Sequence, residues 1–218
     1  MDAWRSDSSF SNLAKISDFA ERIGYDANDN ILEYQRNGNN TFAGKPPGMD
    51  SLTYSYQSGT NQLDHINDAV NASNYTEDID DQSVGNYNYD AIGNLVKDNA
   101  GGITTISWTV YGKIDSITKT NGSTIKYLYD AAGKRISKTV KQGAITSTTG
   151  YVRDASGNVM SVYMATDTTN NGHLMQSEVD LYGSSRLGIW KPGIDVDYLT
   201  PATDTPGQTH NAPALTIW

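Results

Sequence analysis

Four aspartates recur in one setting: Asp26, Asp90, Asp130 and Asp154 each close a strand-like stretch and open a short turn of small residues. Two carboxyls facing one another across about 5–10 Å can hydrolyse a glycosidic bond, one as acid and the other as base or nucleophile. A residue repeated at the head of the same short phrase has a simpler use. Asp at the first position of a type I turn accepts nearby backbone N–H groups, and Gly at the fourth supplies positive φ. The repeated aspartates are therefore expected to form turns, with Gly93, Gly133 and Gly157 completing those of Asp90, Asp130 and Asp154.

Other chemical constellations are weaker. "DANDNILEYQRN" (26–37) opens like a calcium loop, with Asp26, Asn28 and Asn30 at positions one, three and five. Position six is Ile31 rather than Gly and position twelve is Asn37 rather than Glu, so the EF-hand pattern fails. The acidic insert Glu77, Asp78, Asp80 and Asp81 offers oxygen ligands to a hard cation, but reads as a solvated loop. His65, His173 and His210 stand apart without ligand spacing, and the chain has no cysteine. "SITK" (116–119) matches Ser-x-x-Lys, yet strand alternation sends those two residues to opposite faces. "GSSRLG" (183–188) is not a nucleophile elbow. No catalytic residue, metal ligand or cofactor site is expected, and the protein is read as a non-enzyme.

The phrase that carries Asp130 shows what the elements must be. In "KYLYDAAGKRIS" (126–137), Tyr127 and Tyr129 share a strand face with Ile125, and the chain returns after Gly133. The same frame is met at "IGYDANDNILEY" (23–34, Tyr25 and Asp26, with Asp29 in the Gly slot), "YNYDAIGNLVKD" (87–98, Tyr87, Tyr89 and Asp90) and "GYVRDASGNVMS" (150–161, Tyr151 and Asp154). "YSYQSGTNQLDHI" (54–66) fits with Gln57 for Asp and one residue inserted, and "ISWTVYGKIDSI" (106–117) with Trp108 for Tyr and Thr109 for Asp. Gly93, Gly112, Gly133 and Gly157 are 19, 21 and 24 residues apart, the length of one hairpin. A lone hairpin is at best marginally stable, but an array of them can stack into a fold.

Composition agrees. Leu, Ile, Val and Phe make up 40 of 218 residues, under the roughly one-fifth where disorder is suspected, but 14 Tyr and 4 Trp restore apolar area. Aromatic and β-branched residues favour strands, so the fold class is all-β, an array of antiparallel hairpins in a curled open sheet. Sixteen basic residues are scattered among 25 acidic ones, for a net charge of −9, which disfavours nucleic acid as a partner. No apolar run of about 18 residues predicts a membrane span, and "MDAWRSDSSF" has no apolar signal-peptide core.

These phrases, with "LYGSSRLGIWKPG" (181–193), resemble the YD-repeat wall of the bacterial Rhs (rearrangement-hotspot) family over most of residues 20–190. In that family the repeats wind into a hollow shell around a C-terminal effector polypeptide. The resemblance implies a wall segment whose partners are further YD repeats and an effector, in a secreted or cell-surface setting. It departs from the family at "DLYGSSRLG" (180–188), the nearest match to the core segment, and no Asp-Pro dipeptide carries the self-cleavage motif. A piece of a larger wall with an open sheet edge is the expectation. The runner-up is a cell-surface adhesin or glycan-binding module with exposed aromatics, for which Trp108 and Trp190 are the candidates.

The domain reading is an N-terminal flank at 1–22, a repeat region at 23–190 and a Pro/Thr-rich tail at 191–218. Within the flank, Phe10, Leu13, Ile16 and Phe19 show helical spacing, whereas the family resemblance favours extended chain. Loops are placed near 37–50, 71–86 and 165–173.

Overall fold

The computed structural model describes residues 3–166 and 172–196. The predicted tail beyond residue 196, His210 within it, and the centre of the 165–173 loop lie outside the described residues. What is described is nearly all β, in antiparallel sheets of which none closes into a barrel. The chain divides into two compact units, residues 1–108 with 117–121, and 109–116 with 122–218.

The first unit begins with a hairpin of β1 (Ala3–Ser6) and β2 (Leu13–Ile16). The flank is therefore extended, and the helical spacing of Phe10, Leu13, Ile16 and Phe19 does not produce a helix. Phe10 sits at φ 57° and Phe19 at φ 59°, in turns that interrupt any helical run. Indeed "SDSSFSNL" (6–13) is a further copy of the repeat. Asp7 accepts from the amides of Ser9 and Ser11, and Phe10 stands in the Gly slot.

Next come β3 (Glu21–Tyr25), β4 (Ile31–Asn37), β5 (Gly48–Tyr56) and β6 (Leu63–Asp68), a four-stranded meander in chain order. The predicted 37–50 loop holds one helical turn, α1 (Asn40–Ala43), capped by the Asn39 side chain and by Gly44 at φ 65°. The 71–86 loop is more structured than its polarity suggests. Tyr75 is buried, with its hydroxyl on the Pro46 carbonyl at 2.7 Å, and Gln82 exchanges two hydrogen bonds with Ile66. Then follow β7 (Tyr87–Tyr89), β8 (Leu95–Asp98) and β9 (Ile103–Trp108), and the C-terminal half of β10 (Ile114–Lys119).

The second unit takes the N-terminal half of β10 and continues through β11 (Thr124–Tyr129), β12 (Arg135–Gln142), β13 (Ile145–Arg153), β14 (Val159–Thr166), β15 (Met175–Tyr182) and β16 (Arg186–Trp190). From β12 to β16 each strand pairs antiparallel with the one before it, and β17 (Ile194–Asp195) pairs with β15 beside β16.

Burial is thin. The buried apolar side chains among the described residues are Leu52, Ile66, Tyr75 and Ile106, all in the first unit. The second unit leaves Leu128, Ile136, Val152, Met160, Leu181, Leu187 and Trp190 exposed. Among the described residues it is a sheet without a covering layer. Apolar burial usually dominates folding, so the local devices of the repeat must carry an unusual share here.

Candidate functional site

Asp130 shows the turn at atomic detail. Its Oδ1 accepts the amides of Ala132 at 2.9 Å and Lys134 at 2.8 Å, while Gly133 donates its amide to the Asp130 carbonyl at 2.9 Å. Gly133 has φ 74°, a left-handed conformation that costs other residues about 1–2 kcal/mol. Asp26, Asp90 and Asp154 add a second contact, because an Asn four residues on donates its side-chain amide to Oδ2 at 2.8–2.9 Å. Thr109 does the same work weakly, accepting the Lys113 amide at 3.2 Å, and Gln57 closes its longer turn on Gln62.

Those bonds tune the carboxylates. The Asn30 side chain and amide hold Asp26 below the ordinary aspartate value, and Asn158 does so for Asp154. Burial pushes Asp90 upward, but the bonds from Asn94, Ile92 and Gly93 outweigh it and the net direction is down. Each carboxylate is thus occupied with its own turn.

After each turn the returning strand carries one extra residue. Tyr129 faces Arg135 while Leu128 faces Ser137, which leaves Ile136 unpaired. The same bulge falls at Leu32, Asp64, Val96, Met160 and Leu187. A bulge of this kind bends the strand and increases its twist, and here it recurs at one place in the frame.

The residue before the turn does the joining. Tyr56 donates its hydroxyl to the Ile31 carbonyl at 2.8 Å, and Tyr89 to that of Leu63 at 3.1 Å. Trp108 donates its indole N–H to the Leu95 carbonyl at 2.8 Å. Tyr129 donates to Ile114 at 2.8 Å, Arg153 through Nε and Nη2 to Arg135 at 3.2 and 3.1 Å, and Tyr182 to Val159 at 2.9 Å. In all six the acceptor is the first residue of the strand that follows the preceding turn. We call each such bond a rung. Burial holds the Tyr56 and Tyr89 phenols above their ordinary value, so they stay protonated and able to donate.

The two rings of each phrase therefore have different duties. Tyr127 and Tyr87 lie two residues further from the turn. Tyr127 makes no hydrogen bond among the described residues and lies under the Arg135 guanidinium at 4.2 Å, while Tyr87 accepts from Gln82 at 3.1 Å. Tyr151 occupies this outer position too, so the rung of its repeat is made by Arg153. Trp108, singled out as an unusual member of its frame, makes an ordinary rung. Trp190 makes none and is 46% exposed. A signal for the rung was present in composition: 14 Tyr against 3 Phe shows that the hydroxyl is wanted as well as the ring.

Among the described residues, titratable groups also converge where the acidic insert meets β5 and β6. Carboxylate oxygens of Asp50, Asp68 and Asp78 lie within 4.8 Å of one another. Asp50 is buried and paired with Arg36 at 2.5 Å, and Asp68 accepts the amides of Ser51 and Val70. Burial raises the Asp78 carboxyl, with Asp50 and Asp80 adding to the shift, and one of its oxygens is enclosed with no hydrogen-bond partner. The set offers oxygen ligands of the type hard cations take. Arg36 supplies positive charge to the same cluster through its ion pair with Asp50.

No family model matches this sequence, and no curated protein matches it. Among solved structures, one similar chain is described as the crystal structure of TcdB2-TccC3-TEV, with 14% identity and a TM-score of 0.34. The alignment covers 84% of this chain and 11% of that one, so the protein spans about a tenth of the length of its structural neighbour.

Proposed function

We propose that this chain is a structural, non-catalytic wall segment of the YD-repeat type found in Rhs-like proteins, serving to enclose or display an effector polypeptide. One observation carries the reading: the same hairpin unit recurs along the sheets of both units, and six of the repeats are each tied to the one before by the same rung. Such a sheet extends area without needing a thick core, as an enclosing wall requires. The apolar side chains it leaves exposed give an enclosed polypeptide something to rest on. A secreted or cell-surface setting belongs to the same proposal.

The test is limited proteolysis of the complete natural gene product. A polypeptide following the repeats should resist cleavage while joined to them and be cut quickly when expressed alone. Equal susceptibility in both forms refutes enclosure. A glycan-binding module is the second reading, favoured by Trp190, which is 46% exposed. Glycan-array binding lost on Trp190→Ala would establish it, and a blank array would remove it.

A further inference from the structure

The rung pattern makes a statement about the two edges where it stops. β3 is the outer strand of its meander and β16 is the outer strand beyond β15. Tyr25 ends β3 in the donor position, directly before the Asp26 turn, yet it is 55% exposed and its hydroxyl has no hydrogen bond among the described residues. Arg186 begins β16 in the acceptor position, equivalent to Ile31 or Ile114, and no side chain among the described residues donates to its carbonyl. Among the described residues, one edge presents a donor without an acceptor, the other an acceptor without a donor.

We propose that two copies of this chain associate head to tail, β3 of one adding as the next antiparallel strand on β16 of the other, with the Tyr25 hydroxyl on the Arg186 carbonyl. The register follows from the rungs already formed. Extending the β4–β5 pairing from Glu33–Thr53 sets Tyr56 opposite Asn30, one residue before its acceptor Ile31. Extending Ser137–Gly150 sets Arg153 opposite Lys134, one before Arg135, and extending Ser161–Val179 sets Tyr182 opposite Asn158, one before Val159. The same offset sets Tyr25 opposite Ser185 and therefore Ile23 opposite Leu187. Those two are 43% and 73% exposed, and each strand is five residues long. The occupant is a second copy because its own β3 carries what the site calls for: a free strand edge ending in a ring with a hydroxyl. An interface joining two different edges is heterologous, so it builds a ring or a filament rather than a closed two-fold dimer. The association rests on the ladder alone, so its failure leaves the wall reading untouched.

The chain has no cysteine, which makes the test direct. Ile23→Cys and Leu187→Cys are prepared separately, mixed and mildly oxidised. The mixture should give a disulfide-linked heterodimer that neither variant gives alone. Unmodified protein should gain mass with concentration in sedimentation velocity. Leu187→Lys should abolish that gain by charging the edge, with circular dichroism confirming that it folds, and Tyr25→Phe should weaken it about fivefold. A monomer at every concentration, a mixture yielding only homodimers, or a mass gain that survives Leu187→Lys would each overturn the proposal.

Discussion

Tyr129→Phe removes one oxygen and keeps the ring, which makes it the sharpest probe of the rung. The lost bond is 2.8 Å long and ends on the Ile114 carbonyl. A typical hydrogen bond contributes about 0.5–1.5 kcal/mol net, and more is lost when the stranded acceptor stays dry. Tyr129 is half-buried, so water can reach part of the vacated site, and the expected loss is about 1 kcal/mol. In a urea titration with a slope near 2–3 kcal/mol per molar, that shifts the midpoint down by about 0.3–0.5 M. Tyr127→Phe is the matched control, two residues away on the same strand face. Its ring stays under Arg135 and its hydroxyl has no partner to lose, so the midpoint should hold. Tyr56→Phe and Tyr89→Phe have no acceptor in common with Tyr129, and the three losses should sum to about 3 kcal/mol. If Tyr127→Phe costs as much as Tyr129→Phe, or if Tyr129→Phe is silent, the rings act by burial and the ladder is not what joins the repeats.

Asp29 stands at φ 63° in a glycine slot, so Asp29→Gly should stabilise the chain by about 1 kcal/mol, whereas Gly133→Ala should cost about 1–2 kcal/mol, both read from urea midpoints. Asp7, Asp26, Asp90 and Asp154 are held below their ordinary values, so their contribution is complete above the unfolded value of about 3.9 and is lost as pH falls through the folded values. The urea midpoint should therefore drop on acidification below about pH 4, and Asp154→Ala should flatten part of that drop. Asp78 has the opposite sign: its raised carboxyl favours the fold below about pH 3.9 and penalises it as pH rises through the folded value. Asp78→Asn should stabilise the chain at pH 7 and change little at pH 3, and a loss at pH 7 would mean the carboxylate has a partner it needs.

The turns were legible because each depends on residues adjacent in the chain. Asp130 and Gly133 are three apart, and their bonds close within the same five residues, so composition and spacing suffice. The Phe10 turn was missed because its Gly slot holds a ring, and a ring at that spacing mimics the apolar stripe of a helix. Tyr75 was missed for the converse reason. Its neighbours Asn71, Ser73, Asn74 and Glu77 read as solvated loop, while its burial depends on Gly38, far away in sequence. A Cβ built on Gly38 would lie 2.2 Å from the Tyr75 hydroxyl. The approach of Asp78 to Asp50 and Asp68 is likewise tertiary, created when the acidic insert closes against β5 and β6.

The rung lies between those cases. Its donor is always the residue before the turn, a local fact, but its acceptor belongs to the previous repeat, and its chemistry is hidden by the variety of residues that perform it. Tyr, Trp and Arg share little as propensities or volumes. They share length and a donor at the tip, which is all that reaching a carbonyl across one strand demands. A backbone carbonyl is present whatever the side chain, so the acceptor imposes no identity on the repeat it belongs to. Trp108 and Arg153 therefore make the same bond in their repeats as Tyr does in the others. The joining of repeats therefore rests on a few atoms per repeat, and the side chains on the faces of the sheet are not needed for it.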